Sequence, residues 1–263
     1  MCGLIATFPK KNYRVCTSTL RSYLDTINHR GPDGEGIVSK NWYTLGHKRL
    51  AIIDPKHSQQ PFQSRNERYA ISYNGEIYNY IEIRTELKNS GYIFETSGDT
   101  EVIIHAFDKW GVDCFNIFEG MFAFALIDNY KKIGYLVRDQ LGIKPLFYLE
   151  TSKGIIFSSE IKVFLNEQSL SLNESRIYEQ IMYRYISGKE TIYNEIQRVN
   201  AGSYIEIDSN FEYNEIEYFS LEDSLINSNN NVDYHQIENE INKSILRHTR
   251  SDVGYNIQLS GGL

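Results

Sequence analysis

The second residue of the chain is the first candidate for chemistry. Cys2 follows Met1 directly, and Gly3 and a short apolar stretch come after it. A small residue at position 2 favours removal of Met1, which would leave a thiol and a free α-amine on one residue. An α-amine with a pKa of about 8 is partly neutral at pH 7 and can accept the thiol proton. The pattern indicates an N-terminal cysteine nucleophile, and a small buried strand residue is the alternative.

The other cysteines and the histidines indicate neither a metal site nor a disulfide framework. Cys2, Cys16 and Cys114 form an odd set without CxxC spacing, and the six histidines are scattered. The net charge is −7, and no cluster of Lys and Arg could follow a phosphate backbone. We therefore expect no bound metal and no nucleic-acid partner.

The sequence shows no sign of export or membrane insertion. No stretch approaches the roughly 18–20 apolar residues that cross a bilayer. The N-terminus also lacks a charged region followed by a long apolar one. We expect a cytosolic protein without a membrane partner.

The candidate nucleophile must be positioned by a framework of short strands and helices. Residues 2–8 are typical of a buried strand, and a helix should follow with an inner face of Val15, Leu20, Leu24 and Ile27. Further strands are predicted in WYTLGH, RLAIID, YAISYNG, MFAFALID, KIGYLVRD, PLFYLE and GIIFSS. Because no regular βαβ order is present, we expect antiparallel sheets covered by helices.

Glycines mark the ends of two further helices and a loop. NYIEIRTELKNSG and DTEVIIHAFDKWG are predicted as helices that stop at Gly91 and near Gly111. HRGPDGEG, at 29–36, is predicted as a loop because three glycines and a proline interrupt it.

Several segments together resemble a known family. They are RGPDGEG, GHKRLAIID, SYNGEIYNY, SGDTEV, GMFAFALID, RDQLGIKPLFY and FSSEIKVF. In this order and spacing they resemble the class II glutamine amidotransferases, in particular the glutaminase half of glutamine-hydrolysing asparagine synthetases. The resemblance runs from Cys2 to Leu263. It implies an α+β fold, a four-layer αββα sandwich of the N-terminal-nucleophile hydrolase type, with no cofactor in the glutaminase domain.

The resemblance also implies a glutamine pocket around Cys2. Attack of a thiolate on the substrate amide builds charge on the carbonyl oxygen, and Asn74 and Gly75 would form the oxyanion hole that binds it. Arg49 would hold the carboxylate of glutamine and Asp99 its ammonium group. The other implied pocket residues are Leu50, Ile52, Ile53 and Glu76, and His29, Arg30 and Asp33 would order the site.

Most of these residues also have a purely structural interpretation. An Asn-Gly pair is typical of a β-hairpin turn. Arg49 would also suit a strand whose side chain forms a surface ion pair, and Asp99 would suit the capping box of a helix. Both interpretations stay open at this point.

The end of the chain resembles the beginning of a second catalytic domain. A predicted strand, GYNIQL, leads into Leu259, Ser260, Gly261 and Gly262, which resemble the start of the pyrophosphate-binding loop of ATP pyrophosphatases. The implied organisation is a glutaminase domain at 2–208, a linker at 209–232, and the truncated start of an α/β ATP-pyrophosphatase domain at 233–263. We expect residues beyond about 210 to be poorly held here, because that domain would lack most of its cover.

In the whole protein, the resemblance implies that ammonia from glutamine reaches an aspartate adenylated by ATP with Mg²⁺. The products would be asparagine, AMP and pyrophosphate. Gln140, Asn200 and Phe219 depart from residues common in the family, which leaves another carboxylate, of a sugar or a peptide, as an alternative acceptor. A glutaminase joined to an isomerase or phosphoribosyltransferase, and a non-catalytic scaffold, are further alternatives. The oligomeric state stays open, with a homodimer as one option.

Overall fold

Two antiparallel sheets of six strands each form the centre of the molecule. We describe it from a computed structural model, which covers residues 1–11, 13, 16–226, 233–259 and 261. The strands are β1 (Gly3–Pro9), β2 (Gly34–Ser39), β3 (Thr44–Arg49), β4 (Phe62–Gln63), β5 (Tyr69–Ile77), β6 (Gly120–Asp128), β7 (Ile133–Arg138), β8 (Phe147–Thr151), β9 (Gly154–Ser158), β10 (Ile196–Arg198), β11 (Ser203–Asp208) and β12 (Tyr213–Glu217). The first sheet has the order β10-β8-β9-β1-β3-β2, and the second has the order β12-β11-β7-β6-β5-β4.

The helices lie mainly on the outer faces of the sheets. They are α1 (Thr17–Thr26), α2 (Tyr80–Asn89), α3 (Asp99–Trp110), α4 (Cys114–Ile117), α5 (Glu174–Tyr183), α6 (Leu221–Ile226) and α7 (Tyr234–His248). Gly91 and Gly111, with φ of 91° and 61°, follow α2 and α3 as predicted. Within the described part of the chain, no helix has the length and apolar character needed to cross a membrane.

Alternating side chains on β5 show how the layers are built. Tyr73 and Ile77 pack in a cluster with Val102 and Phe107 of α3, on the outer face of the second sheet. Ala70 points the other way, into a cluster between the two sheets. On the outer face of the first sheet, α1 packs its Leu20 and Leu24 against Ile5. The layers are thus helix, sheet, sheet and helix, and the predicted α+β class with antiparallel sheets is confirmed.

Two local predictions were wrong near the start of the chain. RLAIID was predicted as a strand, but β3 ends at Arg49 and residues 50–54 form a loop. The carbonyl groups of Ile53 and Asp54 in this loop accept hydrogen bonds from the Arg49 guanidinium. HRGPDGEG was predicted as a loop, but its last three residues, 34–36, belong to β2. Gly36 is needed there for packing, because a Cβ atom would lie 2.2 Å from the Gln60 carbonyl oxygen. The predicted helix begins at Thr17, and Val15 lies outside the described residues.

The C-terminal part differs from expectation in two places. Strand β12 lies within the predicted linker but pairs with β11, so residues 213–217 are held in the second sheet. The predicted strand GYNIQL does not form: residues 254–259 have no regular structure. A strand needs a hydrogen-bonding neighbour, and none in the described part of the chain pairs with this segment. The predicted last helix is present as α7, and the domain boundaries stay a prediction.

Candidate active site

The predicted pocket residues meet at one end of the gap between the sheets. Gly3 on β1 pairs with Lys48 on β3, which places Cys2 beside Arg49 in the first sheet. The second sheet contributes β5, and a 3.0 Å hydrogen bond between Ser72 Oγ and His47 Nδ1 shows that the even-numbered residues of β5 face the first sheet. Asn74 and Glu76 therefore face Cys2 across this gap.

A cavity of about 160 Å³ lies at this position. It is lined by all the residues predicted for the glutamine site, namely Cys2, Arg49, Leu50, Ile52, Ile53, Asn74, Gly75, Glu76 and Asp99. It is also lined by residues that the sequence analysis did not assign to the pocket, namely Met1, Ser58, Gln60, Tyr73, Thr100, Met121 and Lys144. One cavity thus brings together a thiol, hydrogen-bond donors and charges of both signs.

The thiol of Cys2 is fixed by its neighbours. Its Sγ accepts the Leu50 N–H at 3.3 Å and lies 3.5 Å from the Leu50 carbonyl oxygen. The Cys2 carbonyl oxygen accepts a hydrogen bond from Arg30 Nε at 2.8 Å. The residue after Leu50 is also held, because the Ala51 N–H donates to Asp33 Oδ2 at 2.9 Å. Burial raises the pKa of the Cys2 thiol, although the Leu50 N–H opposes this. A base is therefore needed to form the thiolate near pH 7.

Asn74 and Gly75 lie inside β5 and do not form a turn. They pair with Ala123 and Phe122 of β6 in a continuous ladder, so the hairpin interpretation was wrong. Asn74 is 1% exposed, and its Nδ2 has no hydrogen-bond partner among the described residues. A buried amide without a partner costs folding free energy, on the order of 1–3 kcal/mol. This donor is therefore available to a ligand in the cavity.

The backbone of β5 supplies a second donor. Tyr73 N–H donates to Gln60 Oε1 at 2.7 Å, and Ile77 N–H donates to Asp99 Oδ2 at 3.1 Å. Alternate residues of a strand direct their N–H groups to the same edge, so the Gly75 N–H points to this edge between the other two.

Gly75 is also required for the packing of the second sheet. In the structure, an added Cβ would lie 2.3 Å from the Met121 carbonyl oxygen and 2.6 Å from Phe122 Cα. Glycine is therefore needed for β5 to pack against β6.

Two buried carboxyl groups and a lysine give the cavity its charge. Burial raises the pKa of Glu76 to about 7, nearby Asp99 adds to this, and Lys144 opposes it. Burial also raises the pKa of Asp99, whose Oδ2 accepts the Tyr73 hydroxyl at 2.7 Å. The capping interpretation of Asp99 was wrong, because Gly98 occupies the N-cap position and Asp99 is the first residue of α3. The carboxylates can attract a cationic group into the cavity.

Arg49 is buried and does not form a surface ion pair. Its Nη2 donates to the carbonyl oxygens of Ile53 at 3.2 Å and Asp54 at 2.8 Å, and its Nη1 donates to that of Pro55 at 2.8 Å. The guanidinium thus shapes the loop that follows β3 and places a positive charge at the wall of the cavity. The interpretation as a solvent-exposed strand arginine was wrong.

Comparison with known proteins agrees with this geometry. A family described as a glutamine amidotransferase domain matches residues 1–219. The chain belongs to the class II glutamine amidotransferases.

Relatives of this amidotransferase domain are longer proteins. It is 30% identical over 268 residues to asparagine synthetase [glutamine-hydrolyzing] 1 of Bacillus subtilis, covering 100% of this chain and 42% of that protein. It is 29% identical over 270 residues to asparagine synthetase B [glutamine-hydrolyzing] of Escherichia coli, covering 100% of this chain and 43% of that protein. The chain therefore spans about two fifths of the length of these curated relatives.

A solved structure confirms the fold of this amidotransferase domain. Glutamine phosphoribosylpyrophosphate amidotransferase from B. subtilis, complexed with ADP and GMP, matches with a TM-score of 0.61 at 20% identity. The match covers 83% of this chain and 49% of that one. At this identity the likeness shows the fold alone.

Lys144 is a buried, positively charged residue of the cavity that the sequence analysis did not assign to the pocket. It is 6% exposed, and burial lowers its pKa. Lys144 lies in RDQLGIKPLFY, one of the segments that carry the resemblance. A lysine in a chain with many surface lysines gives no sign of burial by itself.

The residues predicted for ATP binding do not line this cavity. Leu259 is 89% exposed, and no atom lies within 4 Å of a Cβ built on Gly261. Ser260 and Gly262 lie outside the described residues. The phosphate-binding role of this segment stays a prediction.

The raised pKa of Glu76 predicts a dependence of stability on pH. A carboxyl group whose folded pKa of about 7 exceeds its ordinary value of 4.5 binds its proton more tightly when folded. The group therefore destabilises the fold as pH rises from about 4.5 to 7. The full shift would correspond to roughly 3 kcal/mol, and solvent screening of this partly accessible group reduces it. We expect Glu76→Gln to raise the free energy of unfolding by about 2 kcal/mol at pH 8 and to change it little at pH 4.5.

Urea unfolding of the parent and Glu76→Gln at both pH values measures this effect. Glu212→Gln, at an exposed position before β12, is the matched control and should show no such difference. Equal gains for Glu76→Gln at both pH values would contradict the assignment.

Proposed function

We propose that this chain hydrolyses glutamine at Cys2, as the N-terminal part of a glutamine-dependent asparagine synthetase. The observation that carries the proposal is the Asn74 Nδ2, which has no partner among the described residues and lies in the same cavity as the Cys2 thiol. A nucleophile together with a free, rigidly held donor is the arrangement that acyl transfer from an amide requires.

In the proposed mechanism, removal of Met1 frees the α-amine of Cys2 to act as the base. The amine takes the thiol proton, and Sγ attacks the side-chain carbonyl carbon of glutamine. The Asn74 Nδ2 and the Gly75 N–H stabilise the resulting oxyanion. The C–N bond then breaks, the protonated amine gives its proton to the departing nitrogen, and ammonia leaves. Water hydrolyses the γ-glutamyl thioester, which releases glutamate and restores the thiol.

The charged walls of the cavity would select free glutamine. Arg49 would bind the α-carboxylate, and Glu76 and Asp99 would bind the α-ammonium group. The ionised form of Glu76 is needed for this, and a bound ammonium group favours that form. The pocket would therefore discriminate against amides that lack the two α-groups.

The synthetase reaction is the second part of the proposal. Ammonia would pass to an aspartate adenylated by ATP with Mg²⁺, giving asparagine, AMP and pyrophosphate. The similarity to proteins named as asparagine synthetases supports this acceptor. Residues 259–262 would begin the ATP site. A longer polypeptide, supplied with aspartate or with other carboxylates, would test which acceptor is used.

An electrophilic glutamine analogue tests the first part directly. We expect 6-diazo-5-oxo-norleucine to add one adduct to the intact protein, on Cys2 only, in molecules that have lost Met1. The same preparation should release glutamate from glutamine. Folded protein that has lost Met1 and neither reacts at Cys2 nor releases glutamate would be a non-catalytic scaffold, and the proposal would be wrong.

A further inference from the structure

A segment near the end of the described chain contacts the loop that forms one wall of the cavity. Asp54 N–H donates to Asp252 Oδ2 at 2.8 Å, and Asp252 N–H donates to the Ile52 carbonyl oxygen at 3.2 Å. Asp252 thus forms hydrogen bonds with two residues of this loop, although about two hundred residues separate Asp252 from the loop in sequence. We call Arg250–Asp252 the clasp.

The clasp is itself anchored on α2 and the residues before it. Arg250 forms a bidentate pair with Glu82, at 2.7 and 2.8 Å, and donates to the Tyr78 carbonyl oxygen. The ring of His248 lies 4.2 Å from that of Tyr78. A bidentate Arg–carboxylate pair fixes orientation as well as distance. Asp252 is therefore placed against the loop by contacts that do not involve the cavity.

The loop that Asp252 holds requires external support. Asp54 has a φ of 43°, in the left-handed region that residues other than glycine seldom adopt. Its carbonyl oxygen accepts Arg49 Nη2, and its carboxylate accepts the Ser97 N–H at 2.8 Å. Ile52 and Ile53, the two residues before Asp54, line the cavity. A shift of Asp54 would therefore move both the apolar wall and the carbonyl groups that orient Arg49.

We propose that Asp252 is a positioning residue for the glutamine pocket, acting through the Ile52–Asp54 loop on Ile53 and Arg49. This inference rests on the proposed function. Asp252 contacts no reacting atom, so loss of its side chain should weaken glutamine binding and leave the chemical step almost intact. It also links the pocket to the segment that leads into residues 257–262, so the position of that segment and the affinity for glutamine should depend on each other.

Steady-state kinetics of glutamate release by the 263-residue chain tests the assignment. We expect Asp252→Ala to raise KM for glutamine about threefold to tenfold, with kcat within about twofold of the parent. Asp252→Asn keeps an oxygen that can accept the Asp54 N–H and should restore most of the affinity. Asp233→Ala is the matched control, because it removes the N-cap of α7 without touching the loop.

Hydrogen exchange gives a second readout that does not depend on turnover. In Asp252→Ala, the Asp54 amide should exchange at least about tenfold faster than in the parent, and in Asp233→Ala it should not.

The outcomes separate this inference from the proposed function. If the parent releases glutamate and Asp252→Ala has the parent's KM, this inference alone is overturned. An equal rise of KM in Asp233→Ala, or a fall in kcat without a change in KM, would also overturn it. If the parent releases no glutamate, the proposed function fails and the inference fails with it.

Discussion

Replacing Cys2 by serine is expected to lower kcat for glutamine hydrolysis by about 10⁴-fold. The serine hydroxyl would occupy nearly the same position beside the Leu50 N–H, so the fold and the cavity should be retained. An alcohol is a far weaker acid than a thiol, so an α-amine with a pKa of about 8 generates far less alkoxide than thiolate. The loss should therefore appear in kcat, with KM for glutamine changed little.

Glutamate release by purified Cys2→Ser and parent protein measures this effect. Cys16→Ser is the matched control, since Cys16 is an exposed N-cap of α1 and serine also caps helices well. Parent-like activity in Cys16→Ser and almost none in Cys2→Ser is the expected pair of results. Activity of Cys2→Ser within tenfold of the parent, a margin of about 1.4 kcal/mol in barrier height, would exclude Cys2 as the nucleophile.

The same chemistry predicts that a retained Met1 blocks the enzyme. In the described chain, Met1 lines the cavity and the α-nitrogen of Cys2 is part of a peptide bond. A peptide nitrogen cannot accept the thiol proton. Intact mass would show the fraction of molecules that keep Met1, and glutamate release should scale with the fraction that has lost it.

The candidate residues on or beside regular strands could be named from the sequence. Cys2 was singled out by its position behind Met1, and Asn74 and Glu76 by the family resemblance; the structure places Cys2 before β1 and the other two on β5. Local patterns also predicted α2 and α3, because each has a repeating apolar face and a glycine after its last turn. These two helices could be predicted because their patterns lie in residues that are close together in sequence.

The loop after β3 shows why the rest was not predicted. Residues 50–53 form a continuous apolar run that is typical of a buried strand, but the Arg49 guanidinium binds the carbonyl oxygens of residues 53–55 and Asp252 holds the loop from outside. The Asp252 contact joins distant parts of the chain, and a single sequence does not reveal it. Lys144 was missed for the same reason, since only the fold shows that this lysine is buried beside the cavity.

Asn74→Ala is expected to lower kcat by about 10²-fold to 10³-fold while KM for glutamine changes little. The Asn74 Nδ2 has no partner in the described protein, so in our mechanism its hydrogen bond is formed only when the oxyanion appears. The same argument predicts that Asn74→Ala does not destabilise the fold. Removing an unpartnered buried amide should leave the free energy of unfolding unchanged or raise it by about 1 kcal/mol.

Asn74→Asp sharpens this test because it keeps the shape of the side chain and replaces the donor by a carboxyl group. An ionised carboxylate would repel the oxyanion, so Asn74→Asp should lose at least as much kcat as Asn74→Ala. It should also lower stability above about pH 5, because it places a charge near Glu76 and Asp99. Kinetics and urea unfolding of both variants measure the two effects together. A variant with lower stability and unchanged kcat would show that Asn74 serves the fold alone. Loss of kcat with stability preserved in Asn74→Ala would show that this side chain serves catalysis and not the fold.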